Sequence, residues 1–227
     1  MRTRTLTLAA AGGAALLAAA TLPADAASVR AQDGTVTAAA LLAELTSCSQ
    51  ISKGRYRTDA GAPATVPVCG KNGAVFWKAD MDIDCDGQAT ARCNRRTDPW
   101  FQDQTAFHQS DGRPLNSEKL PYVVVPAPSP VWNYASSGIR GGSVAAVIYG
   151  DRIQYAVVGD TGPSKIIGEA SYATAQGLGI DPDPATGGAA SGVTYLVFTG
   201  SRVTPLESRT ATASLGEELA ERFIRSN

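Results

Sequence analysis

The strongest pattern along the chain is SVAAVIYGDRIQYAVVGDTG, residues Ser143 to Gly162, in which two β-rich apolar runs flank Gly150-Asp151. That dipeptide suits a tight primed turn, so the stretch predicts a hairpin with strands near Val144–Tyr149 and Arg152–Val158. Its second strand delivers Asp160 at its end. Further strands are predicted at Ala74–Lys78, Tyr122–Val125 and Val193–Phe198. Helices are predicted at Val36–Leu45, at Gly168–Gln176 with a stop at Gly177 or Gly179, and at Ser214–Arg225 with Ser214 as cap and Glu217 three residues on. Gly54 to Gly73 is rich in Gly, Pro and Thr and reads as irregular structure, as do Gln88 to Glu118 and the DPDPATGGAASG stretch before Val193. Strands dominate the central half, so the expected fold is mainly β, a β-barrel-like domain with a few short helices, with α+β as the alternative.

One polar stretch breaks the pattern. KADMDIDCDG, Lys78 to Gly87, carries Asp80, Asp82, Asp84 and Asp86 at every second position. In an extended chain these four share a face while Met81, Ile83 and Cys85 take the other, and like charges so placed repel. Something positive belongs beside them. Calcium is one answer, since Asp82-x-Asp84-x-Asp86-Gly87 begins like an EF-hand loop, but the twelfth position of that loop is Cys93 rather than a bidentate glutamate. A cationic ligand is another. The expectation is no metal and no cofactor.

At the N-terminus, Arg2 and Arg4 precede an apolar run from about Leu6 to Leu22 and then Ala24-Asp25-Ala26, which reads as a secretory signal peptide over residues 1–27. Residues 28–227 read as one catalytic domain, and no later segment is apolar enough to span a bilayer. Without Arg2, Arg4 and Asp25 the chain keeps 18 of its 20 basic and 20 of its 21 acidic residues, a slightly acidic balance that argues against nucleic acid. Cys48, Cys69, Cys85 and Cys93 suit an oxidising, extracellular compartment, and no Cys-x-x-Cys pair points to zinc. Of the three possible pairings, Cys48–Cys69 with Cys85–Cys93 is the expected one. A monomer outside the cell, without membrane attachment, is the expected state.

The chemistry open to such a chain is narrow. A Ser-His-Asp hydrolase needs an imidazole, and the sole histidine, His108, comes with no Gly-x-Ser-x-Gly turn. Glycoside hydrolysis needs only two carboxyls in different environments. Asp160 ends a predicted buried strand, where desolvation raises its pKa, and Glu169 opens a predicted helix, where the macrodipole favours its ionised form. Asp160 is therefore read as the acid and Glu169 as the group activating water, with the roles still exchangeable. A non-catalytic secreted module binding glycan or calcium, and a cell-wall lytic enzyme acting on peptidoglycan, are the alternatives. Trp77, Trp100, Tyr122 and Trp132 are either sugar-stacking rings or core aromatics, the latter preferred for each.

Five ordered blocks, Met81–Gly87, Gln104–Phe107, Pro121–Val125, Gly159–Gly162 and Gly168–Ser171, together resemble the chitosanases of glycoside hydrolase family 75. The resemblance runs from about Cys48 to Phe198. It implies endo-hydrolysis of chitosan, the β-1,4-linked glucosamine polymer, with inversion, and it carries the family's catalytic aspartate and glutamate onto Asp160 and Glu169. The Gly159–Gly162 turn has a looser likeness to double-psi β-barrel proteins that cleave glycans. Chitosan also supplies the missing positive charge: on this reading Asp80, Asp82, Asp84 and Asp86 bind substrate ammonium groups.

Overall fold

The computed structural model describes residues 36–227, which fall within one compact unit. The signal-peptide reading and the boundary at residue 27 lie outside the described residues. Eight strands are present: β1 (Ser49–Gln50), β2 (Cys69–Lys71), β3 (Ala74–Asp84), β4 (Tyr122–Pro126), β5 (Val144–Tyr149), β6 (Arg152–Gly162), β7 (Glu169–Ser171) and β8 (Ala189–Phe198). Three α-helices accompany them: α1 (Ala38–Glu44), α2 (Tyr172–Leu178) and α3 (Arg209–Ser226). The sheet order is β1-β2-β3-β7-β4-β6-β5-β8, and β8 pairs back onto β3, so the last six strands close into a barrel. Two pairings in the ring, β3 with β7 and β4 with β6, are parallel; the others are antiparallel.

Strand alternation sorts the two faces. Val75, Trp77, Met81, Val123, Val158 and Tyr195 belong to one buried cluster inside the ring, where Trp77 stacks on Tyr195 at 5.3 Å. The outward residues Phe76, Val144, Leu196 and Phe198 form a second cluster, covered by Leu41 of α1 and by Ala220 and Phe223 of α3. Complete closure leaves those six strands with paired neighbours on both sides. The hairpin forms as predicted: β5 and β6 pair from Val144↔Val157 to Tyr149↔Arg152 around Gly150, whose φ of 60° is the value a type II′ turn needs at its first central residue. Both disulfides take the expected pairing, Cys48–Cys69 and Cys85–Cys93.

Two helix readings need correction. Residues Glu169–Ser171 are a strand, β7, and the helix begins only at Tyr172, capped by Ser171, whose Oγ accepts the Thr174 N–H. Glu169 therefore opens no helix and feels no helix terminus. The C-terminal helix starts at Arg209 rather than Ser214; Ser208 is its cap, and Ser214 lies inside it. Among the described residues no helix is long and apolar enough to cross a membrane.

Candidate active site

The register across four strands builds the site. Asp82 of β3 pairs with Glu169 of β7, Glu169 pairs with Val124 of β4, and Val124 pairs on its other side with Asp160 of β6. Paired residues point to one face of a sheet, so Asp82, Glu169, Val124 and Asp160 form a single row on the outside of the barrel. Asp160 and Glu169 thus flank Val124, two strand spacings apart, about 9.5 Å between Cα atoms. The carboxyls come closer than the backbones, because Glu169 leans over β4 towards β6: its Oε2 lies 3.1 Å from where a Cβ on Gly162 would stand. Gly162 is two residues beyond Asp160 on the same face, roughly 7 Å along the strand. The absent side chain at Gly162 makes room for the Glu169 carboxyl.

A network of buried hydroxyls fixes this row. Ser171 Oγ donates to the Leu120 carbonyl and accepts the Tyr122 N–H, and Thr174 Oγ1 donates to the Tyr122 carbonyl, fastening β7 to β4. On the other side Ser117 Oγ donates to the Asp84 carbonyl and accepts the Tyr172 N–H, tying the end of β3 to the start of α2. A three-residue strand has little stability of its own. These bonds, and its pairing on both edges, hold β7 in register.

The aspartate run divides between two places. Asp84, Asp86 and Asp160 converge, with one carboxylate oxygen from each lying within 4.8 Å of the others. Asp80 and Asp82 converge instead with Asp59 by the same measure. An open cleft of about 430 Å³ is lined by Asp82, Asp84, Asp86, Asp98, Glu169 and Trp100, with Pro184, Ala185 and Gly187 as its opposite wall. Asp160 borders it through Asp84 and Asp86, while Asp80 lies outside it, 5% exposed under Gly168. Trp77, Tyr122 and Trp132 are buried in the core, as expected, but Trp100 is 84% exposed at the cleft. Every ion pair among the described residues lies elsewhere, so no lysine or arginine neutralises the cleft.

Burial, and after it the crowding of like charges, pushes these carboxyls up. Burial, then Asp82, Asp86 and Asp160, raise Glu169 to about 8. Burial, then Glu169 and Asp160, hold Asp84 well above the carboxylate range; burial takes Asp86 to about 6 against the N–H that Gln102 donates to it. Asp160 is raised by burial too, but its Oδ1 accepts the N–H groups of Ala106 and Thr161, both at 2.7 Å, and the charge of His108 acts in the same downward direction. Glu169 is thus biased towards the protonated form and Asp160 is supported in the ionised one.

The block Gln104–Phe107 thereby gains a role that sequence reading missed: Thr105 Oγ1 donates to the Phe107 carbonyl and accepts the Leu115 N–H, which presents the Ala106 N–H to Asp160. Asp98 was missed as well. It sits in a loop with no periodic signal, and it lines the cleft five residues after Cys93, whose disulfide to Cys85 returns the chain to the end of β3.

The profile of a family described as fungal chitosanase of glycosyl hydrolase group 75 matches residues 81–226, a span that includes β3 from Met81, both members of the Asp160–Glu169 pair and α3. The chain belongs to this family. Similar proteins include an endo-chitosanase of Aspergillus fumigatus, 34% identical over 142 residues, covering 56% of this chain and 59% of that protein. Endo-chitosanase B of Aspergillus oryzae (strain ATCC 42149 / RIB 40) is 30% identical over 170 residues, covering 67% of this chain and 70% of its own length. Endo-chitosanase C of Aspergillus oryzae is 34% identical over 135 residues, and only 33% of it is covered. The chain thus spans 59% and 33% of the length of two of these relatives.

Proposed function

We propose that the protein is a secreted endo-chitosanase that hydrolyses the β-1,4 bonds of chitosan with inversion, using Glu169 as general acid and Asp160 as general base. The observation that carries the reading is the row in which these two residues flank Val124, with Glu169 lining an acidic cleft and Asp160 beside its Asp84 and Asp86. This reverses the roles expected from the sequence, because the helix terminus that was to keep Glu169 ionised is absent and two N–H groups favour the ionised form of Asp160 instead. Protonated Glu169 gives its proton to the glycosidic oxygen as the C1–O bond breaks. Asp160 takes a proton from the water that attacks C1 from the opposite side, and the anomeric configuration inverts. With the Glu169 carboxyl set beside Gly162, and Gly162 roughly 7 Å along β6 from Asp160, there is room for a water between the two carboxyls, which suits an inverting enzyme better than the closer pair of a retaining one.

The substrate class follows from charge. A polymer carrying ammonium groups is drawn to a cleft containing Asp82, Asp86 and Asp98 with no basic residue among its lining, and the exposed face of Trp100 offers a sugar ring an apolar platform. A neutral glycan gains nothing from that charge. The two disulfides suit export. Glu169→Gln and Asp160→Asn should each lower turnover of highly deacetylated chitosan by about 10²–10⁴-fold or more with the fold retained. Product anomers read by NMR should be inverted. Near wild-type turnover by either amide variant, or turnover of peptidoglycan in preference to chitosan, would overturn the assignment.

A further inference from the structure

The second acidic cluster is not explained by hydrolysis. Asp59, Asp80 and Asp82 bring one carboxylate oxygen each within 4.8 Å of one another, the spread that oxygens bound to one ion at 2.3–2.6 Å would have. Asp59 and Asp82 are exposed, but Asp80 is 5% exposed and its Oδ1 has no hydrogen-bond partner within the protein. A buried polar oxygen without a partner is costly, more so beside two further carboxylates. The backbone is shaped around it: Gly168 adopts φ 120°, and a Cβ there would stand 2.0 Å from Asp80 Oδ1. No lysine or arginine forms an ion pair with any of the three among the described residues.

We propose that Asp59, Asp80 and Asp82 form a divalent-cation site, of the all-oxygen kind that takes Ca²⁺, on the flank of β3 separate from the Asp84–Asp86–Asp160 cluster. The donor set is hard and contains no histidine or cysteine, and the two exposed carboxylates leave coordination positions open to water, which suits calcium over zinc. A sugar ammonium is the poorer occupant, since three carboxylates exceed its single charge and the Asp80 carboxyl is too deeply buried for a ring substituent to reach. The site departs from the expectation of no metal, and it is not the EF-hand-like loop, whose Asp84 and Asp86 cluster with Asp160 instead. Its structural effect is to tie three segments together. Arg57, next but one to Asp59, donates its N–H to the Lys165 carbonyl and accepts the Ile167 N–H, and Asp82 donates its N–H to the Gly168 carbonyl. An ion held here braces the segment that leads directly into Glu169.

The site shares Asp82 with the cleft, but the inference does not rest on the hydrolase reading and its test needs no activity. The full chain, stripped with chelator and desalted, is titrated with Tb³⁺ and with Ca²⁺. Tyr195, whose hydroxyl donates to the Asp80 carbonyl at 2.9 Å, is placed to sensitise terbium emission. Saturable emission displaced by Ca²⁺, with a Kd for calcium on the order of 0.1–1 mM and a rise in melting temperature, is the expected result. Asp59→Asn, an exposed change that keeps the fold, and Asp80→Asn should each weaken the ion by about tenfold or more. Asp160→Asn should leave its affinity unchanged. Absence of saturation up to about 10 mM Ca²⁺ would overturn the proposal. So would an affinity lost in Asp160→Asn but kept in Asp59→Asn, or Asp59-dependent binding of glucosamine oligomers in place of the metal.

Discussion

At the scale of single residues, the site works through what its neighbours do to Glu169. Its carboxyl sits at about 8 because it is buried beside Asp82, Asp86 and Asp160, so it carries a proton where an ordinary glutamate has lost it. With Glu169 as acid and Asp160 as base, as proposed, turnover should fall as pH rises through that value and, on the acid side, as Asp160 takes up a proton. The basic limb of kcat/KM should therefore lie near 8 in the free enzyme. Ammonium groups in the cleft favour the ionised form, so the basic limb of kcat should lie at lower pH than that of kcat/KM. Asp86→Asn removes one of the charges and should move the kcat/KM limb downward, measured on soluble glucosamine oligomers. A basic limb that stays in place in that variant would show that Asp86 does not act on the group being titrated.

Among the structural elements, the short strand β7 decides the geometry, and Gly162 opposite it decides whether Glu169 fits. A methyl group at residue 162 would stand 3.1 Å from both Glu169 Oε2 and Val124 Cγ1. Gly162→Ala should push the acid off line and lower kcat by about tenfold or more with a smaller change in KM, because a misplaced catalytic group costs rate before binding. An unchanged kcat would place the Glu169 carboxyl elsewhere. The loop carrying Asp86, Asp98 and Trp100 depends in turn on the Cys85–Cys93 disulfide, whose sequence separation is 8. Replacing both cysteines with serine should cost about 2–3 kcal/mol of stability and raise KM through the loosened Trp100, as read by calorimetry and steady-state kinetics.

These elements also mark how far sequence reading reaches. The β5–β6 hairpin was legible because strand pattern and turn chemistry are both local, and β4 because Tyr122–Val125 is a short buried run. β7 was not, because nothing in Glu-Ala-Ser distinguishes a strand from the first turn of a helix; the choice is made by β3 and β4, which lie far away in sequence and take up its edges. The α3 start was missed by a similar margin of information: Ser208 and Ser214 both offer a capping hydroxyl, and only packing against β5 and β6 selects the earlier one. The proposed catalytic pair was chosen by family likeness, whereas the proposed division of their roles rests on Ala106 and on the absent helix terminus, neither of which spacing reveals. The aspartate run was read as one face, whereas the fold divides it between two clusters, which depends on Asp59 and Asp160 arriving from other parts of the chain.

For the whole molecule, the concentration of raised carboxyls on one side of the barrel sets how stability varies with pH. Asp86, Asp80 and Glu169 sit at about 6, 7 and 8 in the folded protein, and Asp84 is raised well above its ordinary value, against about 4 in an unfolded chain. A carboxyl whose folded value is raised binds its proton more tightly when folded, so its contribution is complete below about 4 and is lost as pH climbs through the folded value. Asp111, Asp183 and Glu207, held below their ordinary values by hydrogen bonds, act in the opposite sense, but their contribution is lost only on acidification below about 4. Thermal stability should therefore peak near pH 4–5 and decline by several degrees towards about pH 8 when no cation is bound, in contrast to proteins whose carboxylates are ion-paired. Asp84→Asn supplies an uncharged group of the same shape and should flatten the decline, gaining stability over the parent at about pH 8 while gaining little at about pH 4. Calorimetry across that range in chelator decides the matter: stability rising towards pH 8, or a parallel decline in Asp84→Asn, would mean that the cleft carboxyls are compensated in solution by charges absent from their surroundings in the fold. The same linkage makes a cationic ligand stabilise the protein more strongly at high pH than at low, so binding and stability draw on one store of unneutralised charge.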